Sequence, residues 1–269
     1  MTGLLEAIAR GVRVFDLAQP LHAGIPSSPN HPGFRMALIR RHGDMVREDG
    51  GSAANELIVT GGHVGTHIDA LAHVSHNGLL HGGVPAADAQ LGGRFTHGGV
   101  EELAPLVAPG VLFDVAASKG ADVLPGGYEI SVGDLQAAAA GSGVEVRRGD
   151  IALIRTGWAR RFADPAGFLG HESGVPGPNE EAARWLADQG IFATGSDTTA
   201  YEHIPAGAGH RLLPVHRLLL VERGVFIMEM LNLEDLSAAG VARFLFVAAP
   251  LKILGATGSP LRPIAVVDG

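Results

Sequence analysis

Between Leu57 and His76 the chain reads LIVTGGHVGTHIDALAHVSH, which puts His63, His67, Asp69 and His73 within eleven residues. The residues around them decide the local fold. Gly61, Gly62 and Gly65, together with the β-branched Val64, Thr66 and Ile68, oppose a helix. Odd positions carry His63, Gly65, His67 and Asp69 while even ones carry Val64, Thr66 and Ile68, the two-residue alternation of an extended segment with one polar face. A regular strand rises about 3.3 Å per residue and would hold the His63 and His67 backbones roughly 13 Å apart, near the limit for two imidazoles sharing one ion. The segment is therefore expected to bend, and Gly65 is where it can.

Imidazole nitrogens and a carboxylate oxygen suit Zn, Mn or Fe(II), and a chain with no cysteine offers no thiolate to narrow the choice. The absence of cysteine also excludes disulfides and a cysteine nucleophile. No G-x-S-x-G elbow surrounds a serine, which argues against serine-hydrolase chemistry. His67-Ile-Asp69 with a distant His216 also meets the H-x-D…H pattern of Fe(II) oxygenases. Those enzymes need an all-β double-stranded helix, and the helix signals described below argue against one.

The string His63-Val-Gly-Thr-His67-Ile-Asp69-Ala-Leu-Ala-His73 resembles the H-x-G-T-H-x-D-x-x-x-H signature of the cyclase-like metal-dependent hydrolases, the family of bacterial kynurenine formamidase and isatin hydrolase. The likeness runs along nearly the whole chain, through Phe15-Asp-Leu with Pro20, Gly149 to Trp158, Pro214-Val-His216, and Glu229 to Leu233. Members commonly carry Pro two residues before the last His of the signature. Leu71 stands there in this chain, and the ligand positions are untouched. The resemblance implies an α/β fold of the β/β/α "swivelling" kind, with a mixed β-sheet, flanking helices and the metal site at one edge. It also implies a small-molecule substrate and a homodimer or homotetramer.

Other parts of the sequence fit an α/β reading. Strands are expected at 110–115, 150–156, 190–194, 224–231 and 243–249, where β-branched or long apolar residues run together. Asn179 can cap a helix with Glu180 and Glu181 in its first turn and Gly190 at its end. Ser131 opens a capping-box-like S-x-x-D ahead of an apolar stretch at 135–140. The Pro-rich stretch from Pro20 to Phe34 reads as an irregular loop. With 269 residues and 46% hydrophobic content, one domain over 1–269 is expected. A net charge of −8, offset only by short patches such as Arg40-Arg41 and Arg147-Arg148, argues against nucleic-acid or anionic-membrane partners. The opening residues lack the pattern of a signal peptide and no apolar run reaches membrane-spanning length, so a cytoplasmic protein is expected.

A second constellation lies downstream. Glu229 falls in the apolar string VFIMEML, where an ionised carboxylate is costly to bury without a partner, and a cation is one such partner. The resemblance implies that His216 and Glu229 hold a second ion with Asp69 bridging, and that His73 is the acid/base residue. A histidine suits that work because its ordinary pKa lies near working pH. His76 and His81 are expected to be outer-layer or solvated, while His31, His171, His210 and the remaining histidines receive no role from spacing. Asp197, in Gly195-Ser-Asp-Thr-Thr199, is either a turn former or a residue of an active-site loop. Trp158 and Trp185 are expected to be packing residues. The loop with His31, Pro32 and Phe34 resembles the region from which family members draw apolar substrate contacts.

The expected activity is hydrolysis of an amide or cyclic amide, of formamide or lactam type, in a small aromatic substrate. An ion on His63, His67 and Asp69 would generate hydroxide at neutral pH, and His73 would pass a proton to the leaving nitrogen. Zn or Mn is the expected metal, with one or two ions per chain. A lactone hydrolase or polyketide-type cyclase on the same site is the alternative, as is a relative that binds metal or ligand without turnover.

Overall fold

Four apolar segments lie side by side as parallel strands at the centre of a nine-stranded sheet: Leu106–Asp114, Ile151–Arg155, Ala193–Ser196 and Phe226–Glu229. The computed structural model describes residues 2–269. These strands are apolar on both sides because both sides are covered, and Ile151–Arg155 is buried at every position. Val111, Phe113, Ala152, Ile154 and Ile227 enter one core cluster, while Leu112, Ile151, Leu153 and Met228 enter another.

Helices cover the first of these faces. Val132–Ser142, Glu180–Asp188 and Pro214–His216, the last continuing as a π-helix over Arg217–Arg223, connect successive parallel strands. Leu135, Leu186 and Leu218 pack into the same cluster as Val111 and Ile227. Both expected caps form: Ser131 Oγ accepts from the Asp134 N–H with the reciprocal Asp134 contact, and Asn179 accepts from the Ala182 N–H. The strand expected at 190–194 runs later, as Ala193–Ser196, because Gly190 turns the chain out of the preceding helix with φ of 78°.

Antiparallel strands flank the parallel four. Arg243–Ala248, Ile264–Asp268 and Val12–Asp16 lie on one side, with His67–Asp69 and Gly258–Pro260 on the other. This mixed, helix-flanked sheet is the α/β architecture expected from the sequence. The sequence reading missed Val12–Asp16 and Ile264–Asp268, both only partly buried, and the exposed hairpin of Arg35–Arg40 with Asn55–Val59. Residues between Pro20 and Phe34 are irregular, as expected. Among the described residues no helix is long and apolar enough to cross a membrane.

Candidate metal centre and substrate cleft

The signature segment bends where its glycine stands. Gly65 has φ of 66°, and a Cβ there would run into the Leu21 side chain. Only His67–Asp69 stays extended, so the alternation expected across 62–70 is confined to these three residues. This strand pairs antiparallel with Phe226–Glu229, setting Glu229 opposite His67 and Ile227 opposite Asp69. Ile227 enters the helix-covered core, so the pleat sends His67, Asp69 and Glu229 to that same side. The Pro214–His216 helix lies there and supplies His216. His63, on the turn before Gly65, folds back until its Nδ1 is 2.7 Å from Asp69 Oδ1. Gly258 permits this approach, since a Cβ on it would stand 2.5 Å from His63 Cε1.

Two sets of potential ligands result, His63 with His67 and Asp69, and Asp69 with His216 and Glu229, the donor atoms of each set lying within 4.8 Å of one another. Asp69 belongs to both. His67 Nε2 is 3.5 Å from Asp69 Oδ1 and 3.6 Å from Glu229 Oε2. His216 Nε2 is 3.1 Å from Glu229 Oε1 and 3.6 Å from Asp69 Oδ2.

The outward nitrogens of these rings are anchored. His67 Nδ1 donates to the Gly65 carbonyl at 2.7 Å, and His216 Nδ1 lies 2.7 Å from Glu202 Oε1. The buried Glu202 carboxylate also accepts from the backbone N–H groups of Val215 and His216. His63 Nε2 meets the Thr257 hydroxyl at 2.9 Å. Outer partners of this kind fix a ring and leave its other nitrogen free to ligate. Asp69 Oδ2 is buried and has no hydrogen-bond partner among the described residues. Leaving a buried polar atom unanswered costs about 1–3 kcal/mol, more for a charged group. A cation answers it, so the donor set and the orphaned oxygen fit a divalent metal.

Without a cation, protons take that place. Burial works against the charged form of His67, but Asp69 and Glu229 overcome it and raise the ring to about 9. His216 is raised well above its ordinary value, burial being outweighed by Asp69, Glu202 and Glu229. Burial likewise opposes ionisation of Asp69, yet the surrounding imidazoles hold it well below the usual carboxylate range.

His73 belongs to neither ligand set. Its ring stacks on His63 with centroids 3.9 Å apart and lies 6.3 Å from His216. Burial pushes it down to about 3; Asp69 pulls upward without prevailing, and His63 and His216 push the same way as burial. His63, His67, His73, His216 and Glu229 open onto a cleft of about 260 Å³.

The structure places the remaining candidates. His31 and His210, which spacing left without a role, line this cleft, and the His31 ring sits 5.3 Å from His63. Asp197 does not line it. Its Oδ1 accepts from the Thr156 N–H at 2.9 Å and hydroxyl at 2.6 Å, tying two strand ends together. His81 Nδ1 reaches the Val221 carbonyl instead of the cleft. Trp158 is fully buried and donates to the Phe168 carbonyl at 2.7 Å, while Trp185 packs edge-on to Phe113, so both tryptophans are core residues. Glu202 and Thr257 gave no signal in the sequence, because neither stands in a ligand-like spacing.

Residues 15–203 match the family described as "Putative cyclase". The chain belongs to this cyclase family. It is 30% identical over 223 residues to an isatin hydrolase of Roseibium aggregatum, covering 81% of this chain and 77% of that protein. It is 26% identical over 259 residues to a kynurenine formamidase of Sphingopyxis alaskensis, covering 94% and 97%. A crystal structure described as that of a novel cyclase superimposes with a TM-score of 0.85 at 30% identity, covering 97% of this chain and 91% of the other. The cyclase-family fold of this chain therefore rests on solved relatives as well as on its own sheet order.

Proposed function

We propose that this cyclase-family chain is a metal-dependent hydrolase that opens an amide or lactam of a small, aromatic or cyclic substrate, with residues 1–269 acting as one catalytic domain. The observation that carries the reading is the orientation of three imidazoles. Each has one nitrogen tied to an outer partner and the other turned toward carboxylates, one of which keeps a buried oxygen without a donor. The relatives named isatin hydrolase and kynurenine formamidase support an amide-type bond as the target.

In this reading His63, His67 and Asp69 hold one ion, and Asp69, His216 and Glu229 a second. Zn or Mn is the metal that suits nitrogen and oxygen donors without thiolate. When bound, a divalent cation lowers the pKa of water toward neutrality and polarises a carbonyl. Thr257 and Glu202 keep the His63 and His216 rings in register for that work. His73, stacked on His63 beside both ligand sets, would take a proton from the attacking water and return it to the leaving nitrogen. The 260 Å³ cleft admits a ring and its carbonyl. A homodimer or homotetramer accompanies this reading, supported by Met36, Leu38 and Leu57 standing exposed on the hairpin.

The test is chelation followed by reconstitution, assayed on isatin, formanilide and a dienelactone. Turnover of the amides should vanish with metal removal and return with Zn or Mn. Undiminished turnover by metal-free protein sinks the proposal, and turnover of the lactone alone moves the target bond from carbon–nitrogen to carbon–oxygen.

A further inference from the structure

Among the described residues three besides glycine have positive φ: Asn77, Tyr201 and Met230. Asparagine tolerates that region, whereas a bulky side chain is strained in it. Both bulky residues adjoin carboxylates of the site, since Tyr201 precedes Glu202 and Met230 follows Glu229. The Tyr201 ring is fully buried in the helix-covered core, with its hydroxyl 2.9 Å from Thr194 Oγ1, and that anchorage accounts for its backbone. Met230, with φ of 57°, has a different neighbourhood.

The strand before Met230 shows what the strain accomplishes. Along Phe226–Glu229, Ile227 enters the helix-covered core, Met228 enters the opposite one, and Glu229 returns to the side of the ligands. Strict alternation would send Met230 after Met228 and away from the cleft. Leu231 takes that place instead, packing with Met228 in the second core, while Met230 lines the cleft beside Glu229. The left-handed residue is a bulge that points two successive side chains the same way. Hydrogen bonds lock it: the Met230 N–H donates to the Thr198 carbonyl at 2.9 Å, and the Thr66 hydroxyl donates to the Met230 carbonyl at 2.6 Å. The Leu231 N–H then donates to the Ser196 carbonyl at 3.1 Å. Glycine would hold this backbone without strain but would offer the cleft no side chain.

We infer that Met230 is a specificity-determining residue, whose side chain sets the size of the ring admitted beside the ligands. The inference rests on the hydrolase reading and names the wall against which the substrate ring lies. The Met230 side chain is buried and joins the apolar cluster of Trp158, Phe168, Ala200 and Ile204, so it closes the cleft on that side. With Val74, Ala200 and Leu213 it gives the cleft its apolar surface, and a thioether packs favourably against the edge of a ring. The acidic ligand and the apolar stop are consecutive residues, which holds the bond to be cut and the ring that carries it in a fixed relation.

The experiment compares formanilide with its fused-ring counterpart, a naphthyl formamide, on metal-loaded wild-type protein, Met230→Gly and Met230→Leu. Wild type should favour the smaller compound. Met230→Gly should raise the naphthyl-to-phenyl ratio of kcat/KM by about tenfold or more, and Met230→Leu, which refills the space, should keep the wild-type ratio. Calorimetric dissociation constants supply the same ratio where neither compound is hydrolysed, and that lack of turnover counts against the hydrolase reading alone. A wild type that prefers the naphthyl compound, a ratio unmoved in Met230→Gly, or one moved as far in Met230→Leu overturns the inference, whether read from rates or from binding; so does a failure of both compounds to bind. Thermal melts of Met230→Gly and Met230→Ala test the backbone separately. Relief of a left-handed φ should make the glycine variant the more stable of the two, the reverse of the usual order, and the usual order would overturn the bulge.

Discussion

Two buried ionic clusters flank the parallel strands, and they are finished differently. Around Arg155 every strong group is answered: Nε and Nη2 bond the Glu234 carboxylate, Nη1 bonds Asp114, and Nη2 also reaches the Asp122 carbonyl. Ser237 closes the outer side of Asp114 and Arg160 that of Glu234. Around Asp69, three imidazoles and two carboxylates converge, and one carboxylate oxygen is still left without a donor. The first cluster is complete as built and holds the strand end to its neighbours. The second is completed by a cation, since its orphaned oxygen lies among nitrogen and oxygen donors that suit one.

Substitution should separate the two. His67→Ala is expected to abolish bound metal and hydrolysis while the protein stays folded. Arg155→Ala should take the charge partner from Asp114 and leave Glu234 with Arg160 alone, destabilising the fold by about 3 kcal/mol. Metal analysis, turnover and denaturant melts on both variants check this; a His67→Ala protein that keeps its metal and normal turnover would erase the distinction. A finer cut comes from His73→Ala, expected to keep most of the metal yet lower kcat by about 10²- to 10⁴-fold, the usual scale of acid/base contributions. Joint loss of metal and activity would instead class His73 with the ligands.

The smallest effect concerns a carboxylate outside both clusters. Burial raises Asp197 to about 6 from its ordinary 3.8, although Thr156 donates to it twice. A carboxyl whose folded value exceeds its unfolded one contributes stability that is full below the unfolded value and is lost as pH rises through the folded one. Asp197→Asn cannot ionise and keeps an oxygen for Thr156. It should therefore stabilise the protein by up to ~3 kcal/mol above about pH 7 and change little near about pH 4. Equal shifts at both pH values in paired melts would mean that ionisation of Asp197 is not what burial opposes.

How much of this could be read beforehand depends on where the information sits. The bend at Gly65, the ligand cluster around it, and the helices capped by Ser131 and Asn179 are local, because spacing and cap chemistry lie within a few residues of each other. Glu229 was legible as an acid in an apolar strand. Glu202 and Thr257 were not, since each acts on a ring far away in sequence and neither breaks a local pattern. His31 and His210 reach the cleft along irregular chain whose path is set by what it packs against. Val12–Asp16 and Ile264–Asp268 lie at the sheet's margin, where partial exposure blurs the alternation that marks a strand.

The His67–Asp69 strand is held between Phe226–Glu229 and Gly258–Pro260, both encoded far downstream. During synthesis the histidine signature leaves the ribosome early and has no neighbours to pair with until most of the chain has followed. The candidate ligands are therefore gathered late, by contacts of long sequence separation, which are slow to close. A cation held there ties the opening quarter of the chain to its last. By binding only the finished sheet, it shifts the balance away from every partly assembled state.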